Sequence, residues 1–254
     1  MATDPGVVVT DRDGVRLVTV DRPAVKNALH TAAYDAITTA LTEARARDDV
    51  SCVVLTGSGS DFTAGWDLAE AADPPPAVDD GREHGYPPFI EAVESFPKPL
   101  LAAVRGVAVG IGFTLLGHCD LVVFGRTARL KAPFVGLGLC PEAGATVTLP
   151  ALLGRQLATE LLLTGRWLQA EEAVAAGLGV AVVDDDDVLD HALDLAAALA
   201  AQPISSLRAT KELLLASRLP AAQAARRLED QTFAGLLGSP ANVAAVEALT
   251  GGRR

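Results

Sequence analysis

The chain carries Asp61-Phe62-Thr63-Ala64-Gly65-Trp66-Asp67 and, farther along, Gly110-Ile111-Gly112. Both place small residues where an aliphatic run gives way to a helical pattern, so both expose backbone N–H groups at a turn or helix start. Two such donors aimed at one oxygen make a candidate oxyanion hole, the device that stabilises an enolate. Strands that end in these turns and lead into helices also indicate an α/β chain.

Upstream, Val7-Val8-Val9-Thr10 and Val15-Arg16-Leu17-Val18-Thr19-Val20 flank Asp11-Arg12-Asp13-Gly14, which reads as a hairpin. Thr31 is the expected N-cap of a helix running to about Arg47, with Tyr34, Ile37 and Leu41 on one face. A buried strand follows at Ser51-Cys52-Val53-Val54-Leu55-Thr56, giving β-β-α-β. Residues 73–85, rich in proline, glycine and charge, read as a mobile surface loop. Residues 100–104 and 121–124 are further short strands, separated by Gly106, Gly110, Gly112 and a short helical stretch, and imply a largely parallel sheet. Asp184-Asp185-Asp186-Asp187 reads as a solvated turn at a helix N-terminus, where carboxylates complement the helix dipole; a calcium site is the weaker alternative. From Val188 onward the pattern is helical, with segments at 189–200 and 205–216 and breaks expected at Pro203, Pro220 and Pro240. The division this suggests is an α/β core over residues 1–195 and a helical oligomerisation region over 196–254, its apolar faces packing against another subunit.

With 254 residues, half of them apolar, the chain can bury a full core. Its net charge of −11 argues against a nucleic-acid or anionic-membrane surface but leaves room for one phosphate-bearing small molecule. No basic-then-apolar leader opens the chain and no run is long enough to span a bilayer, so a cytoplasmic location is expected. Cys52, Cys119 and Cys140 are expected to be unpaired thiols, and His30, His84, His118 and His191 lack metal-ligand spacing, so no metal is expected.

Five landmarks then line up in one order: Asp21-Arg22-Pro23-Ala24-Val25-Lys26-Asn27-Ala28-Leu29, the 61–68 stretch, Pro97-Lys98-Pro99-Leu100-Leu101-Ala102-Ala103-Val104-Arg105-Gly106, Pro141-Glu142-Ala143-Gly144, and Leu162-Leu163-Thr164-Gly165-Arg166. In this order and spacing the chain resembles the crotonase superfamily, the enoyl-CoA hydratase/isomerases, from about residue 7 to residue 248. The resemblance implies a crotonase-like spiral of ββα repeats with an all-helical C-terminal trimerisation region, assembled as a homotrimer or homohexamer. It implies acyl-CoA thioester ligands, with coenzyme A arriving as part of the substrate and no separate cofactor. The oxyanion donors it implies are the amides of Ala64 and Ile111. Lys26, Ala28, Gly65, Trp66, Asp67, Leu68 and Gly110 would line the ligand, with Arg22 or Lys26 meeting its phosphates. Asp67 would also cap the following helix, Asp120 would be a fold-stabilising acceptor, and Phe233 would border a neighbouring subunit's ligand.

The departures from the pattern decide the expected chemistry. Hydratases of this superfamily use two carboxylates about a water, and their positions fall here on Thr114 and Phe134, which cannot act as bases but can line the pocket. Glu142, in a Pro-Glu-Ala-Gly segment, sits where a subset of double-bond isomerases carries a single Glu. Moving a double bond from the 3,4 to the 2,3 position needs one base, and apolar neighbours such as Phe134 and Leu139 would raise its pKa. The expectation is therefore an enoyl-CoA isomerase acting through Glu142. The alternatives are a catalytically weak acyl-CoA-binding member, or hydration or another thioester-enolate reaction. A nicotinamide fold is set aside, because Gly110-Ile111-Gly112 lacks the third glycine and the acidic partner.

Overall fold

Asp13 and Gly14, both at positive φ, form the two-residue turn that folds β1 (Val7–Arg12) back onto β2 (Val15–Val20), pairing Val9 with Val18. The computed structural model describes residues 4–72 and 80–251, so residues 73–79 of the expected surface loop lie outside the described residues. Helix α1 (Thr31–Ala46) buries Ala33, Tyr34, Ile37, Ala40, Leu41 and Ala44, the stripe its spacing dictates. Its N-cap is His30 rather than Thr31: the His30 Nδ1 accepts the Ala33 N–H at 3.1 Å. Thr31 is instead the first helical residue, and its N–H and hydroxyl both donate to Glu70, at 2.9 and 2.6 Å. At the other end, fully buried Lys98 donates to the carbonyls of Ala44, Arg47 and Val50.

Strand β3 (Cys52–Gly57) is buried along its whole length because both sheet faces are covered. After it come α2 (Leu68–Ala72), α3 (Tyr86–Glu94), β4 (Leu100–Val104), β5 (Val107–Val109) and α4 (Ile111–Thr114), which continues as a tighter turn over Leu115–Gly117. Next are β6 (Leu121–Gly125), β7 (Arg129–Lys131), α5 (Ala145–Leu153), α6 (Arg155–Thr164), β8 (Leu168–Gln169), α7 (Ala170–Ala176) and β9 (Ala181–Val183). The main sheet has the order β1-β2-β3-β4-β6-β9, parallel except for the first hairpin, and a small second sheet joins β5, β7 and β8.

Alternation along the central strands sorts the core into two parts. Val53, Leu55, Leu100, Ala102 and Val104 face the larger cluster with α1 and α3, while Cys52, Val54, Leu101 and Ala103 face helix α8 (Val188–Ala200) through Val188, Ala192 and Ala196. The boundary expected between residues 195 and 196 thus falls inside α8, a helix that belongs to the sheet. Of the acidic run, Asp185 accepts from the Thr127 N–H and hydroxyl and Asp184 pairs with Arg126, so it is docked on the β6–β7 turn as well as solvated.

Beyond α8 lie α9 (Ile204–Leu236) and α10 (Pro240–Gly251), and Pro203 and Pro240 mark the helix starts as expected. Pro220 does not break α9. It removes one N–H, but both halves of the helix are anchored: Lys211 and Arg218 reach Asp120 before it, and Arg226 pairs with Glu94 after it. Among the described residues no helix is long and apolar enough to cross a membrane.

Candidate active site

The loop after β3 is laced to the segment before α1. Asn27 Nδ2 donates to the Ser58 and Asp61 carbonyls, and Asn27 Oδ1 accepts the Arg22 N–H. Lys26 and Asn27 adopt positive φ to make this turn. The Thr63 hydroxyl donates to the Asn27 carbonyl at 2.6 Å, Leu29 N–H to the Gly65 carbonyl at 2.7 Å, and Asp67 N–H to the Leu29 carbonyl at 2.9 Å. On its other side the same loop joins β5, through Thr63 N–H to the Val107 carbonyl and Val109 N–H to the Thr63 carbonyl, each 3.0 Å.

This lacing settles which amides are available. Ala64, the expected donor, gives its N–H to the Lys26 carbonyl at 2.8 Å, and Gly65 gives its own to the Thr63 hydroxyl at 3.0 Å. The Ala64 N–H is therefore already committed, contrary to the expectation, whereas the Trp66 N–H has no partner among the described residues. Ile111, first residue of α4, likewise keeps an unpaired N–H, while Gly110 before it donates to the Lys131 carbonyl and holds φ 57. Two glycines set the approach of the loops. A Cβ on Gly65 would stand 2.4 Å from the Val109 oxygen and 3.8 Å from the Gly110 Cα, and one on Gly112 would stand 2.5 Å from the Thr63 Cγ2. Trp66 follows Gly65 and Ile111 precedes Gly112, so each free amide adjoins a glycine in that contact.

Glu142 precedes Ala143 and Gly144, both in the left-handed region. Three elements hold this turn. The His118 Nε2 donates to the Ala143 carbonyl at 2.7 Å, from the helical stretch that Ile111 begins. Glu229 of α9 accepts the Gly144 N–H at 2.6 Å, the Thr146 N–H at 2.9 Å and the Thr146 hydroxyl at 2.5 Å, capping α5 from another helix. The third is Gly144 itself, packed so closely on Ala222 that a Cβ would stand 2.9 Å from that carbonyl. Residue 142 keeps partial exposure, yet its carboxyl group is surrounded by protein, and no described group donates a hydrogen bond to it. Burial, and then the negative charges of Asp230 and Glu229, push its pKa up to about 8.

Thr114 is fully buried and turns its hydroxyl to the Gly110 carbonyl at 3.3 Å; Phe134 is buried in the main core. Neither position carries a carboxylate. Asp67 caps α2 through the Ala69 N–H at 3.1 Å and pairs with Arg22 at 2.9 Å. Arg22 Nη1 also donates to the Ala28 carbonyl. Lys26 is exposed and makes no ion pair among the described residues. Ala28 is buried, Leu68 opens α2 half-buried, and Trp66 is exposed beside them. Phe233 packs against the main core of its own chain, one helical turn beyond Glu229. Asp120 accepts from Lys211, Arg218 and the Leu100 N–H, tying α9 to the sheet.

Sequence reasoning missed Glu229, His118, Tyr34 and Tyr86. Glu229 looks like any carboxylate of a mixed-charge helix, and no local pattern reveals that it reaches Gly144. His118 stands out in the sequence only for lacking metal-ligand spacing, Tyr34 only as part of the α1 stripe, and no sequence signal singles out Tyr86.

Two free amides therefore lie where the 61–67 loop meets α4, and one enclosed carboxylate lies on the turn before α5; comparisons with known proteins place this chain in a family. A family profile described as enoyl-CoA hydratase/isomerase matches residues 10–242. The chain is 37% identical over 229 residues to 2,3-dehydroadipyl-CoA hydratase of Escherichia coli, covering 89% of this chain and 88% of that one. It is 37% identical over 212 residues to the human enoyl-CoA delta isomerase 2, covering 82% of this chain and 54% of that protein. The crystal structure of an enoyl-CoA hydratase/isomerase from Pseudoalteromonas atlantica superposes with a TM-score of 0.93 at 34% identity, covering 98% of each chain. The chain belongs to the enoyl-CoA hydratase/isomerase family and has the crotonase fold.

Proposed function

We propose that this protein shifts a double bond of an acyl-CoA thioester from the 3,4 to the 2,3 position, with Glu142 as its single acid/base. The ionised carboxylate removes a proton from C2 and the electron pair passes into a dienolate, whose oxygen is held by the Trp66 and Ile111 amides. The protonated Glu142 then returns the proton at C4. Atoms balance with no water consumed, so one carboxylate is enough. Coenzyme A enters as part of the substrate, Lys26 is the cation free to meet its phosphates, and no separate cofactor takes part.

The observation that carries this reading is Glu142 itself: enclosed, without a hydrogen-bond donor among the described residues, and poised near neutrality, while neither Thr114 nor Phe134 supplies a second base. The name of the Escherichia coli relative favours hydration as the second reading, but hydration requires another carboxylate at one of those two positions. Exposed leucines at 213, 214, 228 and 237 on and just beyond α9 support assembly as a homotrimer or homohexamer.

The test is a paired assay with 3-enoyl-CoA and 2-enoyl-CoA esters, following conjugation of the thioester and addition of water. Conjugation without hydration, abolished in Glu142→Ala while ester binding persists, is expected. Efficient hydration, or conjugation that survives Glu142→Ala, overturns the proposal. Binding without either reaction makes the protein an acyl-CoA-binding member.

A further inference from the structure

Tyr86, the first residue of α3, carries a hydroxyl oxygen that is sealed from solvent and has no hydrogen-bond partner. Leaving a buried hydroxyl unsatisfied costs about 1–3 kcal/mol, so such a group calls for an explanation. Its ring meets the Tyr34 ring edge-on at 6.3 Å, and Tyr34 in turn packs at a tilt against Phe89 at 5.0 Å. These contacts fix the ring plane and so the direction of the hydroxyl. The carboxylate that acts most strongly on this hydroxyl is Glu142, and the backbone N–H beside it is that of Ala143, the next residue.

A buried donor without an acceptor and a buried acceptor without a donor therefore lie in one neighbourhood, beside Ala143. We propose that Tyr86 is the positioning residue of Glu142: its hydroxyl donates to the ionised carboxylate during turnover and aims the other carboxylate oxygen at the substrate. The inference rests on Glu142 being the base. The hydrogen bond stabilises the charged form, opposing burial and the repulsion from Asp230 and Glu229. The other titratable groups about Glu142 are Tyr34 on α1 and Cys140 on its own loop, while Arg226 pairs with both Asp230 and Glu94. None of them makes a hydrogen bond to Glu142.

The test measures the Glu142 carboxyl pKa by carbon-detected NMR of the full chain, assigned by its loss in Glu142→Gln, in the wild type and in Tyr86→Phe and Tyr34→Phe. The profile of kcat/KM against pH for a 3-enoyl-CoA ester is recorded alongside. The expected result is that Tyr86→Phe raises the carboxyl pKa, moves the acid limb of the profile to higher pH by the same amount, and lowers kcat about tenfold with KM nearly unchanged; Tyr34→Phe moves the carboxyl pKa less. An unmoved carboxyl pKa in Tyr86→Phe overturns the proposal, as does a larger shift in Tyr34→Phe or a change confined to KM. Because the NMR titration needs no turnover, a shifted carboxyl in a protein that shows no isomerisation would reject the isomerase reading while upholding the Tyr86–Glu142 contact.

Discussion

Glu229 holds Gly144: its carboxylate accepts the Gly144 N–H at 2.6 Å, across the gap between the long helix α9 and the start of α5. The helix that looks most like an appendage in sequence is therefore part of the site, because it fixes the turn that presents Glu142. His118 holds the same turn from the opposite side. Buried against the Ala143 carbonyl, it has its pKa pushed down to about 4, so at neutral pH it is a neutral donor with no charge of its own to add beside Glu142.

Glu229→Ala leaves two backbone N–H groups and the Thr146 hydroxyl without their acceptor. The expected loss is about 2–4 kcal/mol, which corresponds to a fall in Tm of roughly 5–10 °C for a chain of this size. Glu229→Gln, which keeps one acceptor oxygen, should lose less. Thermal unfolding gives both values, and a Tm unchanged in Glu229→Ala would mean that the cap does not hold the turn.

The pKa of Glu142 sets a pH dependence for rate and another for stability. Only the ionised carboxylate can take the C2 proton, so kcat/KM for a 3-enoyl-CoA ester should rise about tenfold per pH unit up to about 8 and level off above it. Asp230→Asn removes a negative charge facing Glu142 and should move that limb to lower pH. For stability, the folded state binds the proton more tightly than the unfolded chain, whose carboxyl titrates near 4.5. The folded protein is thus favoured below that value and loses this contribution as pH rises toward about 8. Glu142→Gln should match the wild type in urea unfolding at pH 4 and be the more stable of the two at pH 9. A difference that does not widen with pH would contradict the buried carboxylate.

Gly65→Ala tests the contact between the two loops. A Cβ there would stand 2.4 Å from the Val109 oxygen, on a residue at φ 86. The backbone has no side chain to move aside, so the Trp66 and Ile111 amides must separate. Turnover should fall by at least 10²-fold, because one misaimed oxyanion donor costs that much, and the protein should lose about 1–3 kcal/mol from the left-handed strain. Wild-type turnover in this variant would show that the two amides do not act together.

The framework of the fold was legible because its signals are local. Asp13-Gly14 announces the hairpin, the 3.6-residue spacing from Ala33 to Ala44 announces α1, and the uniform burial of β3 follows from an unbroken aliphatic run. The two- and three-residue strands β5, β7, β8 and β9 were not legible, since so short a stretch carries no periodicity. Pro220 misled because its cost is local, while the anchors that offset it, Asp120 and Glu94, lie far off in sequence. At the site, the segment around residues 64–67 was recognisable, but the identity of the free amide was not. That depends on Lys26 adopting a left-handed turn and presenting its carbonyl to Ala64, a hydrogen bond between distant residues that no motif encodes.

A backbone donor can be deleted only by replacing the amide, and Ile111 permits it. As the first residue of α4, it gives its N–H to no helical carbonyl, and proline is tolerated at that position because the missing N–H is one the helix does not use. Ile111→Pro therefore removes one oxyanion donor without breaking a helical hydrogen bond, although it also gives up part of a buried side chain. The Trp66 amide would remain, so the dienolate would be held by one donor rather than two. The expected fall in kcat is about 10²–10³-fold, with KM changed little, because the donor acts on charge that develops after binding. Ile111→Val, which keeps the N–H and trims one methylene, separates the loss of the amide from the change in side-chain volume and should retain most of the activity. Circular dichroism and thermal unfolding of both variants, alongside kcat and KM, provide the check. If Ile111→Pro folds and turns over like the wild type, the Ile111 amide does not hold the thioester oxygen.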